Sequence, residues 1–517
     1  ADVTGVDYGF SFNVVTHLLK TAAADDHDAG NPRTIQGSLY QFIQNANAIA
    51  GPNAMRFVPL VNPNVINGVL GGGDDWWRLT LSAALPQISG ASGAGTIIDG
   101  TAYVAAINGA VRDTNTGTLG VGGSVGVDNL ALSLVDRPEL ELVGNRTFVG
   151  LNVNADDVTI QRIGMYGFTY GIDVQNVDRT TLQGSVIGAR ADGTDPAGNR
   201  IDNQGIRARD GDDGVIQNNY FAFIERAGIT LQAIIANDGA DGWDILNNEI
   251  RGNGFDAFGA DGVSIDADTD GALVRGNLIT NNLGPGLDFW QVDNNNVVEN
   301  NTITNNLSPV DEIFGIRFDQ AGTGNVVDRN IISGNNGPGV LVRGATSRVT
   351  ITANSIFGNI DTDGGGSVSG IGIDLDVSGI LPADGNGVTA NDISGTPPVP
   401  QHDADAGPNA LQNFPVLSVA TVNGADVTIG GTIQSAPNQQ YRIEFFATTA
   451  PDVNGNVEGQ RFLGVADVTT DANGNFTFSQ LLTPAVPVAL GEYITATATR
   501  SNLGFASLFE TSEFSAA

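Results

Sequence analysis

Residues 286–301 have the sequence GLDFWQVDNNNVVENN, and residues 315–330 repeat its pattern as GIRFDQAGTGNVVDRN. Each segment begins with a glycine that is followed by alternating apolar and polar residues, and each ends with an apolar-x-x-asparagine step. Such alternation is typical of a β-strand with one face buried. The pattern therefore predicts a short strand after each glycine, with one side chain directed inward and the next directed outward.

Both motifs recur along the middle of the chain. The glycine-led motif begins at Gly171, Gly205, Gly228, Gly262, Gly286, Gly315, Gly339 and Gly372. The asparagine step ends at Asn219, Asn248, Asn277, Asn301, Asn330 and Asn354. Successive asparagines are 24 or 29 residues apart, which is the period of one solenoid coil. The repeat predicts parallel sheets along one axis, and asparagines that stack at the same turn of each coil as a structural ladder.

The repeated segments resemble the right-handed parallel β-helix proteins of the pectate-lyase-like type, which are found in large bacterial secreted and cell-surface proteins. The segment 37–48, GSLYQFIQNANA, resembles the segment that starts many of them. It also predicts an amphipathic helix that would cover the open end of the first coil. The apolar stripe of this helix contains Leu39, Phe42, Ile43 and Ala46.

We expect an all-β chain of four parts. Residues 1–95 would hold an N-terminal strand, the capping helix and the first coils, and residues 96–381 the parallel β-helix. Residues 382–411, which are rich in proline, glycine, aspartate and threonine, predict a linker. Residues 412–517 alternate between strand-like and turn-like segments, which predicts a β-sandwich resembling an immunoglobulin-like module.

Composition restricts the function. The 517 residues carry a formal net charge of −34, which argues against nucleic acid because a polyphosphate would be repelled. There is no cysteine, so disulfides and thiolate sites are excluded. No apolar run is long enough to span a bilayer. Together with the family resemblance, these features predict a secreted protein located outside the cell or on its surface.

Aspartates beside glycine and asparagine in turns suggest calcium, since Ca²⁺ prefers hard oxygen ligands. The strongest candidate is the alternation of Asp266, Asp268 and Asp270 before Gly271. Asp361 with Asp363, and Asp403 with Asp405, are weaker candidates. We therefore expect bound Ca²⁺ as the cofactor, stiffening turns and junctions of a rigid rod.

The outward positions of the glycine-led strands are where a ligand would bind, because the interior of a β-helix is filled with side chains. Asp266, Asp288 and Asp319 are predicted to form one column of carboxylates, with Arg317 beside it and Trp290 as a stacking platform. Two carboxyls close together, one protonated and one ionised, are what a glycosidase requires. Cross-strand ion pairs that keep a long sheet soluble would give the same pattern.

Two functions remain open at this point. A structural or adhesive module of a surface protein or fibre is favoured, because no histidine or lysine lies on the repeat and no recognisable catalytic motif interrupts it. Its partners would be copies of itself, bound through the strand at 3–15 or through the C-terminal sandwich. The alternative is a polysaccharide-active enzyme, namely a glycoside hydrolase or, less favoured, a uronate lyase or epimerase.

Overall fold

The structure is a computed structural model, and it describes residues 13–18, 37–105, 109–235, 238–256, 260–307, 314–344, 347–360, 370–377, 387–392, 403, 406–452 and 455–516. Nearly all regular structure in these ranges is β-strand. The chain forms two compact units. The first contains residues 1–120, 134–207 and 213–220, and the second contains residues 121–133, 208–212 and 221–517.

The first unit begins with the strand Val14–Val15, which pairs in parallel with Arg56–Phe57 of the same chain. The predicted helix is confirmed at Leu39–Ala48, where Ser38 caps the first turn by accepting a hydrogen bond from the Gln41 amide at 3.1 Å. A four-residue helix, Gly90–Gly93, follows. The predicted apolar stripe is buried, and its members are Leu39, Phe42, Ile43 and Ala46.

Parallel strands of the coils lie on three faces. We name face A for the glycine-led strands, face B for the strands of the asparagine step, and face C for the strands that follow the asparagine. In the first unit, face A contains Ile88–Ser89, Leu151–Asn154 and Ile172–Gln175. Face B contains Ile97–Asp99, Thr159–Gln161, Thr181–Gln183 and Val215–Gln217. Face C contains Asp75–Thr80, Leu140–Val143, Ile163–Tyr166 and Val186–Ile187.

Smaller pairs complete the first unit. Val65–Ile66 pairs antiparallel with Asp75–Thr80, and Thr118–Leu119 pairs antiparallel with Val135–Asp136. A short 3-10 helix spans Ala197–Asn199. The strands Ile206–Arg209 and Tyr220–Ala222 lie where the chain passes from one unit to the other.

The second unit contains the same three faces. Face A contains Ile229–Gln232, Val263–Asp266, Leu287–Trp290, Ile316–Asp319, Val340–Arg343 and Ile373–Asp376. Face B contains Asp244–Leu246, Leu273–Arg275, Val297–Glu299, Asn325–Asp328 and Val349–Thr352. Face C contains Glu249–Arg251, Leu278–Thr280, Thr302–Thr304, Ile331–Ser333 and Ser355–Phe357. The in-register pairing places similar side chains above one another in neighbouring coils. The rings of Phe289 and Phe318, for example, are stacked in parallel with their centroids 4.5 Å apart. The predicted parallel β-helix is confirmed.

A hairpin formed by Gly123–Val125 and Leu130–Leu132 also belongs to the second unit. Its Val125 and Leu132 pack against Leu278 of face C. The hairpin thereby covers apolar surface on the outside of this face.

The asparagine ladder is buried and continuous in the second unit. The side-chain amide of Asn277 donates to the side-chain carbonyl of Asn301 at 2.9 Å, and that of Asn301 donates to Asn330 at 3.0 Å. The sequence interpretation missed a second ladder, five residues further along each coil, which contains Asn253, Asn282, Asn306, Asn335 and Asn359. Both ladders satisfy buried amides at the corners of the coils.

The C-terminal β-sandwich is confirmed. One antiparallel sheet contains Val416–Asn423, Asp426–Gln434 and Asn475–Leu482. The other contains Gln440–Thr448, Arg461–Thr469, Tyr493–Ser501 and Leu508–Thr511. Tyr441, Ile443, Phe445 and Phe478 are part of the core between them. The closer resemblance to an immunoglobulin-like module stays a prediction.

The sandwich contacts the last coil through three buried glutamates. Glu444 accepts a hydrogen bond from the Ala353 amide at 2.7 Å, and Glu458 accepts one from the Gly358 amide. The third, Glu513, accepts from the amides of Leu375 at 2.9 Å and Thr389 at 2.6 Å. We name these three glutamates the junction glutamates.

The 3-10 helix Pro408–Leu411, at the end of the predicted linker, lies against the same coil. The Asn409 side chain donates to the backbone carbonyls of Val349 at 2.9 Å and Thr511 at 2.8 Å. The predicted domain boundaries stay predictions.

Candidate functional site

Outward side chains of face A form two rows in the second unit. The first row contains Ser264, Asp288, Arg317, Leu341 and Asp374, and the second contains Asp266, Trp290, Asp319, Arg343 and Asp376. The prediction of one column containing Asp266, Asp288 and Asp319 is therefore wrong. Asp288 is the second residue of its strand, whereas Asp266 and Asp319 are the fourth residues of theirs, and in-register pairing keeps these positions apart.

Asp288 and Arg317 form a nearly buried, two-pronged ion pair. The guanidinium nitrogens Nε and Nη2 lie 2.7 and 2.6 Å from the two carboxylate oxygens. Arg317 also lies 5.5 Å from the ring centroid of Trp290 and 5.8 Å from that of Phe314. Two parallel hydrogen bonds from one guanidinium fix the orientation of the carboxyl group.

Asp266 lies beside this pair, half-buried at the end of its strand. Burial, and secondly the negative charge of Asp288, raise the pKa of Asp266 to about 7. A hydrogen bond from the Ser264 hydroxyl, at 2.9 Å, and the charge of Arg317 act in the opposite direction. Asp266 is thus a carboxyl that exchanges its proton near neutral pH.

The structure adds two aspartates that the sequence interpretation missed. Burial, followed by the charge of Asp288, raises the pKa of Asp261, which directly precedes the glycine of its strand. Burial likewise raises the pKa of Asp293 to about 9. The Oδ1 atom of Asp293 accepts a hydrogen bond from the Thr269 amide at 3.1 Å, and its fully buried Oδ2 atom has no partner among the described residues.

Trp290 is the exposed aromatic residue of this site, with 41% of its surface accessible. In its row it lies between Asp266 and Asp319 on the neighbouring strands. An exposed indole beside carboxyls supplies a flat apolar surface of the kind on which a sugar ring stacks.

Asp319 has a different environment from the other two predicted carboxylates. It lies 3.7 Å from Nη1 of Arg343, whose Nε atom is 2.8 Å from Asp376. All three side chains are nearly buried. This chain of ion pairs connects neighbouring coils, so Asp319 is better placed to hold the sheet together than to act on a ligand.

The predicted calcium ligands do not converge. Asp270 accepts hydrogen bonds from the Asn294 amide at 2.6 Å and from its side chain at 3.1 Å, while its own amide donates to Asp241 at 2.7 Å. Within the described ranges, no group of three histidine, cysteine, aspartate or glutamate side chains is arranged to hold a metal ion. Asp268 lies two residues after Asp266 and two before Asp270.

The weaker calcium candidates give no further sign of a metal site. Asp403 accepts hydrogen bonds from the Asn413 amide at 3.1 Å and from the Ser435 hydroxyl. The remaining candidates, Asp361, Asp363 and Asp405, lie outside the described residues. Calcium binding stays a prediction.

Comparisons with known proteins agree with the fold. Residues 232–399 match the family model described as a right handed beta helix region. The A-module of a mannuronan C-5 epimerase from Azotobacter vinelandii is 15% identical, and the match covers 68% of this chain and 95% of that module with a TM-score of 0.34. The Dettilon tailspike protein is 10% identical, with 86% and 89% of the two chains covered and a TM-score of 0.34.

A periplasmic alginate epimerase is 12% identical, with 61% and 70% of the two chains covered and a TM-score of 0.29. No curated protein sequence matches the chain. The chain contains a right-handed parallel β-helix, as predicted, and no helix in the described ranges is long and apolar enough to cross a membrane.

Proposed function

We propose that this protein is a polysaccharide-active enzyme, specifically a glycoside hydrolase, with its active site around Asp266 and Asp288 on face A. The observation that carries the proposal is the pair of carboxyls formed by Asp266 and Asp288. One carboxyl has its pKa raised to about 7, and on the neighbouring strand a second carboxyl is held by a guanidinium. Glycoside hydrolysis uses two neighbouring carboxyls, one of which donates a proton to the leaving oxygen.

Asp266 is the general acid in this proposal. Its proton would pass to the glycosidic oxygen as the bond between that oxygen and the anomeric carbon breaks. Asp288, which Arg317 holds in place, would stabilise the positive charge that develops on the sugar ring. A water molecule would then add to the anomeric carbon and give one proton to the Asp266 carboxylate, which restores the acid. Trp290 would hold a ring by stacking, and Arg317, which lies 5.5 Å from that indole, positions Asp288.

A lyase or epimerase mechanism fits less well. Removal of a proton next to a uronate carboxyl needs a base, and the lysine and three histidines of the chain, Lys20, His17, His27 and His402, lie outside the repeat. The arginines of face A are poor bases because their pKa is very high. We also propose that the protein works outside the cytoplasm, where polysaccharides are accessible.

We propose an enzyme in place of the structural or adhesive module that the sequence alone favoured. Val14–Val15, part of the strand expected to reach a neighbouring copy, pairs with Arg56–Phe57 of its own chain. Residues 1–12 lie outside the described residues. By contrast, Asp266 on face A, Asp261 just before the same strand and Asp293 in a turn are three carboxyls whose pKa values are raised by burial.

The test is release of reducing ends from a panel of plant, algal and bacterial polysaccharides. Asp266→Asn and Asp288→Asn should each lower the rate by about 10²-fold or more, the usual effect of removing an acid–base group. Glu299→Gln is the matched control, because Glu299 is an outward carboxyl on face B that pairs with Arg275 at 3.2 Å. Equal rates for all four proteins would disprove the assignment.

A further inference from the structure

We infer that Asp293 is a positioning residue for the general acid, because its carboxyl holds the tight turn that directly follows Asp266. This inference rests on the proposed function. It adds a residue that does not touch the substrate, since Asp293 is fully buried and acts on Asp266 through the backbone of the turn.

The turn after Asp266 has a backbone that needs support. Asp266 ends the strand Val263–Asp266, and the next two residues, Ala267 and Asp268, have φ angles of 41° and 55°. The left-handed region is unfavourable for residues with a Cβ atom, and the side chain of an alanine makes no hydrogen bond that could offset this cost. Two such residues in succession persist only where the surrounding structure holds them.

Two hydrogen bonds connect Asp293 to the backbone of Asp266. The Oδ1 atom of Asp293 accepts from the Thr269 amide at 3.1 Å, and the Thr269 hydroxyl donates to the backbone carbonyl of Asp266 at 2.9 Å. Thr269 and Asp293 are both fully buried. Removal of the Asp293 carboxyl would therefore leave a buried amide without its acceptor, and the turn would lose its support.

The turn is held from both sides. The backbone carbonyl of Asp293 accepts hydrogen bonds from the Gly322 amide at 3.0 Å and from the Asn325 side chain at 2.8 Å, so the following coil fixes Asp293 itself. On the preceding coil, a Cβ atom at Gly239 would lie 2.0 Å from the backbone oxygen of Asp268. The turn thus fits between a glycine on one side and a buried carboxyl on the other.

The protonation state of Asp293 suits this role. Burial raises its pKa to about 9, so the carboxyl is protonated at neutral pH. Since Oδ1 accepts from Thr269, the proton belongs on Oδ2, which has no partner among the described residues. An asparagine offers the same acceptor and an N–H donor in place of the O–H. Asp293→Asn should therefore keep the turn in place, whereas Asp293→Ala should release it.

The position of Asp266 determines its acidity as well as its reach. Burial, and secondly the charge of Asp288, raise its pKa to about 7. If the turn relaxes, the carboxyl becomes more exposed and moves relative to Asp288, so its pKa falls towards the ordinary value of 3.8. The fall in hydrolysis rate at alkaline pH then begins at a lower pH, which a general loss of stability would not cause.

The experiment measures kcat, KM and the pH dependence of kcat with the full chain, on a polysaccharide that the wild-type protein degrades. Asp293→Ala should lower kcat by about tenfold or more, because a small displacement of an acid group is costly, and should change KM by less than about twofold. Its alkaline limb should begin below about pH 7. Asp293→Asn should restore both values, with kcat within about threefold of the wild type.

Two further variants complete the test. Thr269→Val keeps the amide that donates to Asp293 but removes the hydroxyl that donates to Asp266, so it should also lower kcat, by a smaller factor. Asp210→Ala is the matched control. Asp210 is buried, and its Oδ1 atom accepts from the Ile234 amide at 2.6 Å in the turn after the strand Ile229–Gln232, which carries no catalytic carboxyl. This variant should keep the wild-type kcat and alkaline limb.

Wild-type kcat and pH dependence in Asp293→Ala would overturn the inference, as would an equal loss of kcat in Asp210→Ala or in Asp293→Asn. If Asp293→Ala does not fold, an unchanged kcat in Thr269→Val would overturn it. Should hydrolysis depend on Asp266 and yet be unaffected by these changes, the proposed function stands and this inference alone fails. If the wild-type protein degrades no polysaccharide, both fail.

Discussion

Two groups of buried carboxyls in the second unit differ in how they are satisfied. The junction glutamates each accept hydrogen bonds from backbone amides of the last coil or its following segment. At the candidate site, the charge of Asp288 further raises the pKa values of Asp266 and Asp261. Asp293 keeps one oxygen without a partner in the described ranges.

Burial raises the pKa in both groups, to about 7 for Glu444, to about 8 for Glu458 and Glu513, and to about 7 for Asp266. A raised pKa alone therefore does not identify a functional site. Neighbouring carboxylates also raise the pKa of Glu444 and Glu458, so charge repulsion is common to both groups. The distinguishing feature is the oxygen of Asp293 that has no partner among the described residues, which costs stability and is retained where a site needs it.

The largest expected effect is a difference in enzymatic activity between a variant of the candidate site and a variant of the junction glutamates. Asp266→Asn should reduce polysaccharide hydrolysis by about 10³-fold, whereas Glu513→Gln should change it by less than about twofold. Both substitutions remove one titrating carboxyl and keep its shape. Reducing-end assays on both variants check this, and a large loss in Glu513→Gln would show that the junction and the site are not separate.

The second effect is a difference in the free energy of unfolding between variants of the two groups. Glu513→Ala leaves the amides of Leu375 and Thr389 without their acceptor, so the free energy of unfolding should fall by about 2–4 kcal/mol. Asp293→Asn removes a buried group that ionises at a cost, so stability at high pH should stay the same or rise. Urea denaturation of both variants measures the difference. Strong destabilisation by Asp293→Asn would mean that this carboxyl has a structural role.

The third effect is the pH dependence of stability. The junction glutamates have a higher pKa in the folded protein than the ordinary value of 4.5, so the folded state binds more protons. Their contribution is therefore fully present below about pH 4.5 and is lost as the pH rises to about 8. Replacing all three by glutamine should flatten this part of the stability profile. If the free energy of unfolding kept the same slope against pH in this variant, groups other than the junction glutamates would be responsible for it.

The smallest effect concerns two exposed aromatic residues. Trp290→Ala should raise KM by about tenfold with little change in kcat, because stacking binds the substrate and its transition state alike. Tyr493→Ala is the control, since Tyr493 is 43% exposed on the sandwich. Equal KM values for the two variants would remove Trp290 from the site.

The sequence determines the repeating parts of this molecule well. A 24- or 29-residue spacing of Asn277, Asn301 and Asn330 is sufficient to predict coils, and the helix at Leu39–Ala48 follows from its apolar stripe. The second asparagine ladder also has a sequence signal, namely its constant offset of five residues from the first. These features are predictable because each depends on local periodicity alone.

The site was predicted only in part. Asp266, Asp288, Arg317 and Trp290 were identified from strand alternation, but their arrangement in two rows depends on the position of each residue within its strand. Asp293 lies in a turn outside any alternating segment, and its burial follows from the stacking of adjacent coils. The junction glutamates have no sequence signal, because their partners lie 91 to 138 residues away.

The most direct test of the account is the rate of hydrolysis of a polysaccharide that the wild-type protein degrades, measured for the wild-type protein and for Asp266→Asn from about pH 5 to about pH 9. Since Asp266 must be protonated to act, the wild-type rate should fall about tenfold per pH unit above about pH 7, and the residual rate of Asp266→Asn should lack this limb. A wild-type protein that releases no product from any glycan, or the same limb in both proteins, would contradict it.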